Sequence, residues 1–318
     1  MIVERSKQIR LYDEAKFAKV NEKNRELLHR YNIDMTLKEL SPKTIYNYMN
    51  DLSQWMIFIY EYQGNQCVLD LTADDIQEFI FWCKQQGNNT RRLRRRLSSI
   101  SAFYKYLKKR KLVQENPVEY IERPRKDTDV VAQTYLTEEQ VQYMKQVLEQ
   151  HGDLQLLLYA MLSLDTMARV NAISNIKWEQ IDFKTRTINN VLEKEGKVVT
   201  LFFSMYTMNL LLKLKEERRI NGIDCEYVFI TKYRGEYKKV TPVTLYEWCK
   251  KIGNMIGIPT LHPHDFRHSG AQILKERGMP IELISELLNH SGLDVTKKHY
   301  LIQNKNQIKA ERDKYSFI

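Results

Sequence analysis

The chain has 318 residues, 43% of them hydrophobic, and its 50 Lys plus Arg against 40 Asp plus Glu leave a formal charge of +10. That length suffices for two domains with a core each, the composition excludes wholesale disorder, and the positive balance favours an anionic partner such as nucleic acid. Cys67, Cys83, Cys225 and Cys249 are far apart and form no CxxC, which signals neither a zinc site nor a disulfide framework and fits a reducing cytoplasm.

In chain order, the opening MIVERSKQIR lacks the apolar segment of a secretory signal, and residues 1–38 read as basic and helical without a motif. Ser41 with Pro42 behind it predicts an N-cap, followed by Ile45, Tyr48, Leu52, Trp55 and Ile59 at helical spacing. Thr72, with Asp75 three residues on, opens a second helix that Gly87 can close. A third begins near Thr90. Within RRLRRRLSSISAFYKYLKKRK, residues 91–111, Leu93, Leu97, Ile100, Tyr104 and Leu107 form an apolar stripe, while ten Lys or Arg and no acid occupy the polar positions. A mixed-charge face would read as ordinary solvated surface. Ten like charges repel one another unless a polyanion screens them, so the expected partner is DNA or RNA. A membrane surface is the alternative, disfavoured because the apolar stripe is needed for packing on neighbouring helices. Arg91, Arg92, Arg94, Arg95, Arg96, Lys105 and Lys108 are the candidate contacts.

From Asn116 onward, NPVEYIERPRKDTDVVAQTY combines prolines and charges with little periodicity and reads as an exposed linker. The expected division is an N-terminal helical domain over 1–123, a linker over 124–134 and a second domain over 135–318. In that second domain Thr137 caps one helix, and GDLQLLLYAMLSL is a buried one that Asp165 stops well short of the roughly 20 residues that cross a membrane. RTINNVL and KVVTLFF then form a hairpin around Gly196, and the remainder from Met205 is mainly helical. The fold class is therefore mainly α with a small antiparallel β-sheet, in two domains.

The densest chemistry is in HPHDFRHSG, residues 262–270. His264 and Arg267, three apart, share one helix face and can approach one anionic group, while His262, before Pro263, lies off that helix. Arginine forks onto two phosphate oxygens, and histidine moves a proton near neutral pH. A helix start whose His and Arg merely cap or pair is the competing reading of this segment alone. Zinc is disfavoured because the spacing matches neither HExxH nor a Cys/His pattern. Upstream, TMARVNAISNIKWEQIDF buries Arg169 among apolar and small residues, where an unpaired cation is costly. Downstream, IELISELLNHSGLDVTKKHY carries a helix to His290 and reaches Tyr300 ten residues later.

Together these segments resemble the tyrosine recombinase (phage integrase) family. Its signature is an Arg, a Lys in a β-hairpin, a His-x-x-Arg, a His or Trp, and a nucleophilic Tyr; the order here is Arg169, Lys194, His264, Arg267, His290, Tyr300. LSPKTIYNYMNDLSQW looks like the start of the family's SAM-like core-binding domain, and NPVEYIERPR like its exit to the linker. The resemblance implies a site-specific DNA recombinase, working without metal or nucleotide cofactor. Tyr300 would form a 3′-phosphotyrosine, Arg169, Arg267 and His290 would hold the phosphate, His264 would be the base and Lys194 the general acid. It further implies a tetramer on two double-stranded DNA sites in the cytoplasm, at the nucleoid, exchanging strands through a Holliday junction, with the tail 301–318 contacting a neighbouring protomer. Lys197 remains the alternative to Lys194, Tyr315 to Tyr300, and packing on its own domain to the tail's contact with a neighbour. A catalytically silent DNA-binding regulator and a strand-relaxing enzyme of type IB are the competing functions.

The chain departs from the family pattern T-G-x-R-x-x-E at two positions, with Met167 at the glycine and Ala172 at the acid. The missing acid leaves open what orients Arg169. The spacing from His290 to Tyr300 is also one residue longer than is common.

Overall fold

Each helix of the N-terminal unit starts on a side chain that accepts one of the backbone N–H groups a helix leaves unpaired. Asp13, Asn21, Ser41, Thr72 and Asn89 serve in turn for α1 (Glu14–Phe17), α2 (Glu22–Leu37), α3 (Pro42–Tyr62), α4 (Ala73–Gln85) and α5 (Thr90–Lys109). At Thr72 the cap is reciprocal, Asp75 accepting the Thr72 N–H at 2.8 Å. The computed structural model describes residues 12–125, 135–193 and 196–289. The chain divides into two units, 1–132 and 133–318. Lys194, His290, Tyr300 and the tail 301–318 lie outside the described residues.

In the first unit α3 packs against α2 and α5, and α4 against α5. Trp55, Phe79, Leu97, Phe103 and Leu107 are fully buried between them. The apolar stripe of α5 thus faces the core as its spacing predicts. The segment after α5 differs from its reading as exposed linker: Pro117–Tyr120 forms a short 3-10 helix, with Asn116, Val118 and Ile121 buried. The Asn116 amide donates to Ser101 Oγ at 3.0 Å, so this stretch packs against the middle of α5.

The polar face of α5 is not purely cationic surface. Asp51, buried on α3, pairs with Arg92 at 2.8 Å and accepts from Arg95 at 2.9 Å and from Ser99 Oγ at 3.0 Å. Arg96 is 2% exposed, donating to Asn88 at 3.0 Å and Gln54 at 2.8 Å, with Asp51 4.0 Å away and the Phe79 ring beneath it. The acid that the run 91–111 lacks comes from another helix, and three of its six arginines answer to it.

In the second unit α7 (Leu154–Thr166) is buried along nearly its whole length. It packs against α6 (Glu138–His151), α9 (Met205–Ile220) and α11 (Pro263–Glu276). A three-stranded antiparallel sheet, in the order β1 (Ile181–Asp182), β2 (Thr187–Leu192), β3 (Val198–Phe202), holds the expected hairpin. The short helix α8 (Val170–Asn175) precedes it, and α10 (Pro242–Met255) and α12 (Ile281–Leu287) complete the helical set. A second hairpin, β4 (Ile230–Tyr233) and β5 (Glu236–Lys239), interrupts the region read as mainly helical. Its turn uses Arg234 and Gly235 at φ 50° and 88°, and its side chains are nearly all exposed, so no alternation of apolar and polar residues announces it. No described helix is long and apolar enough to cross a membrane.

Asp51→Asn keeps the side-chain volume and removes the countercharge of a buried arginine. Hydrogen exchange should show α3 and α5 amides losing about 3–5 kcal/mol of protection. Lys108→Ala, on an exposed turn of the same helix, should change it by less than about 0.5 kcal/mol. Unchanged protection in the Asn variant would mean that Gln54 and Asn88 alone satisfy Arg96.

Candidate active site

The first turn of α11 is built by the sequence HPHD. Pro263 takes the first helical position, where its missing N–H costs no hydrogen bond. His262 is the N-cap: its Nδ1 accepts from the His264 N–H at 3.3 Å, and its own N–H donates to Asp265 Oδ2 at 2.8 Å. His262 and Asp265 therefore start the helix. His264 and Arg267 follow one turn apart.

Arg267 is 1% exposed and forks onto two backbone carbonyls, Met167 O at 2.6 Å and Leu288 O at 2.5 Å. Those carbonyls belong to the segment that leads to Arg169 and to the end of α12 that leads to His290. The approach is possible because residue 270 is glycine: a Cβ there would lie 2.3 Å from Leu164 O and 2.9 Å from Met167 Cγ. Met167, at the family's glycine position, takes φ 51° and ψ 24°, the left-handed conformation a glycine would adopt without strain. Its side chain compensates by filling a small core with Ala271, Ile284 and Leu288.

Arg169 is not buried, as its apolar surroundings in sequence implied. It stands at the N-cap position of α8, its side chain 32% exposed, and pairs through Nη1 with Glu193, whose side chain is 2% exposed. Ala172 is fully buried in the core. Glu193 lies just past β2, and its N–H donates to Lys197 O at 2.8 Å, closing the turn that contains Lys194. On the other flank, Lys197 Nζ donates to Asn289 O at 2.7 Å. The turn is thus fastened on one side to Arg169 and on the other to the residue before His290. Glu193 carried no signal in the motif pattern. Its only trace is phase: Val191 is buried, Leu192 exposed and Glu193 buried, so an acid occupies an inward position of the strand.

His264 is partly open to solvent and stacks on His262, with ring centroids 5.7 Å apart. Desolvation of the ring, and then the positive charges of Arg267 and Arg169, hold its pKa below the ordinary imidazole value. Two segments distant in sequence therefore place Arg169 and Arg267 within reach of the His264 ring's field.

Comparison with known proteins identifies the family. Residues 134–307 match the phage integrase family, and residues 29–111 match the phage integrase N-terminal SAM-like domain. The chain belongs to the phage integrase, or tyrosine recombinase, family. A tyrosine recombinase of Pseudothermotoga lettingae is 28% identical over 285 residues, covering 87% of this chain and 93% of that protein. Among solved structures, the Tn1549 transposon integrase in complex with circular intermediate DNA superposes with a TM-score of 0.70 at 16% identity, over 90% of this chain and 98% of that one. A lambda integrase tetramer bound to a Holliday junction gives a TM-score of 0.65 at 17% identity, over 84% and 74%. At these identities the structural likeness is one of fold.

For this integrase-family chain the expected DNA contacts on α5 need correction. Arg96 is interior and cannot meet a phosphate, and Arg92 and Arg95 are drawn toward Asp51, with 23% and 41% of their side chains exposed. Arg94 donates to Pro124 O at 2.5 Å. Arg91, Lys105 and Lys108 are exposed. Arg91 and Lys105 are fourteen residues, about four turns, apart and so share one side of the helix.

A depressed His264 pKa keeps the ring neutral near pH 7. Because the unfolded chain takes up this proton first, stability contributed here is present above pH 6.5 and declines as pH falls below it. The expected NMR titration midpoint for His264 lies below 6.5. Arg169→Gln should raise it by removing one of the two nearby cations. A midpoint at or above 6.5 would mean a ring hydrated on all sides.

Proposed function

We propose that this tyrosine-type site-specific recombinase cuts and rejoins duplex DNA through a 3′-phosphotyrosine formed at Tyr300. The observation that carries the reading is the meeting of Arg169, His264 and Arg267 at one place, to which Arg267 and Lys197 also draw the Leu288 and Asn289 carbonyls just ahead of His290. The Tyr300 oxygen attacks phosphorus in line with the departing 5′-oxygen. His264, neutral near pH 7, accepts the phenol proton, whose ordinary pKa is about 10. Arg169, the outward-reaching arginine, forks onto the non-bridging oxygens with His290 beside it, while Arg267 adds its charge from beneath. Lys194 gives a proton to the leaving oxygen. The engagement of Lys197 with Asn289 O supports Lys194 for that role.

The covalent bond conserves the energy of the diester, and the arginines supply the charge neutralisation that phosphoryl transfer needs, so neither metal nor nucleotide enters. A 5′-hydroxyl from a partner strand then attacks the phosphotyrosine, reversing the step and joining the new strand. Four protomers on two sites act pairwise through a Holliday junction, the tail 301–318 reaching a neighbour. The fold likeness to the lambda integrase tetramer supports this arrangement. The work is done on DNA in the cytoplasm, with Arg91, Arg94, Lys105, Lys108 and the outer part of Arg95 as phosphate contacts.

A duplex selected for binding from random-sequence DNA, nicked beside the scissile phosphate to prevent rejoining, should trap a covalent adduct. Tyr300→Phe should bind this duplex and form none; an adduct in the variant would point to Tyr315. Replacing Arg91, Lys105 and Lys108 together by Ala should flatten the slope of log K against log salt by about 0.9 for every phosphate that is no longer neutralised. Cleavage should return at saturating protein, since the catalytic set lies in the other unit. An unchanged slope would place the DNA elsewhere.

A further inference from the structure

Glu193 is a carboxylate withdrawn from water that caps no helix. Its side chain, 2% exposed, meets the guanidinium of Arg169, which is itself 32% exposed. A buried carboxylate without a partner is costly, so this pairing holds both groups in place. A guanidinium is planar and rigid: fixed along one edge, it presents its remaining edge in a defined direction. Here Nη1 is the nitrogen that Glu193 holds, and the charge of Arg169 acts on the His264 ring.

We propose that Glu193 is the positioning residue for Arg169, supplying from the hairpin the carboxylate that the segment around Ala172 does not provide. Ala172 is fully buried against core residues, and among the described residues the carboxylate hydrogen-bonded to Arg169 is that of Glu193. Glu193 also donates its N–H to Lys197 O, so the residue that holds Arg169 is itself held at the base of the hairpin turn. Lys197, bonded to Asn289 O, fixes the other flank of the same turn. This inference rests on the catalytic roles proposed above, and it concerns a residue that touches no DNA.

The test compares wild type and Glu193→Gln on the nicked duplex, at saturating protein, with either a normal diester or a methylphosphonate at the scissile position. Glutamine keeps the side-chain length and an acceptor oxygen but loses the charge that fixes the guanidinium. A methylphosphonate carries no negative charge on its non-bridging positions, so its cleavage does not depend on an oriented arginine. The expected result is adduct formation about 10- to 100-fold slower on the diester, with unchanged duplex affinity and thermal midpoint, and a rate close to wild type on the methylphosphonate. Equal rates on the diester, or the same loss on both substrates, would overturn the proposal and leave Glu193 a packing residue. If wild type itself forms no adduct on the diester, the catalytic reading falls and this proposal with it. An adduct in wild type with no difference in the variant removes only the role of Glu193.

Discussion

The fork of Arg267 on two backbone carbonyls is the contact on which the candidate site depends. A guanidinium stays charged at any physiological pH, so once buried it must be surrounded by acceptors. Met167 O and Leu288 O provide them, 100 positions upstream and 21 downstream of the arginine. Each carbonyl lies within two residues of a group assigned to the chemistry, Arg169 on one side and His290 on the other. The charge proposed to act on phosphate is thus also the peg that gathers the segments around it. Gly270 makes this geometry possible by letting α11 lie against α7, and Met167 accepts a left-handed backbone so that its carbonyl turns inward.

The same principle organises the first unit with the signs reversed. There the buried group is a carboxylate, Asp51, and the arginines of α5 close over it. A run of positive charge that reads as a DNA-facing surface therefore serves two purposes. One side of the helix neutralises an acid on α3 and fixes α5 to the bundle. The other presents Arg91, Lys105 and Lys108 to solvent. Fastening the helix stiffens the platform that carries those outer cations, which leaves less conformational freedom to be lost when they meet a partner.

The β2–β3 hairpin joins these themes in the second unit. Glu193 and Lys197 flank its turn and carry opposite charges to opposite targets, an arginine and a backbone carbonyl. Both flanks of the turn are thereby tied to other elements of the unit. The Glu193–Arg169 pair joins the end of β2 to the start of α8, a contact between elements rather than within one.

The sequence alone determined the features that depend on a few neighbouring residues. Capping side chains, the proline at the first turn of α11, the apolar stripe of α5 and the ordered motif from Arg169 to Tyr300 were all legible, because helix starts and motif spacing are local. The family and the mainly helical class followed from them. The second hairpin was not legible, since its exposed strands show no alternation and its turn lacks an Asn-Gly signal. Nor was the packing of Asn116–Ile121, where charged neighbours mask three inward side chains. Above all, tertiary structure decided which charges pair: Asp51 with Arg95 across 44 positions, Glu193 with Arg169 across 24. A charge in a sequence states only that a partner or water is required. Which of the two it meets is fixed when packing withdraws one group from solvent and brings the other within reach.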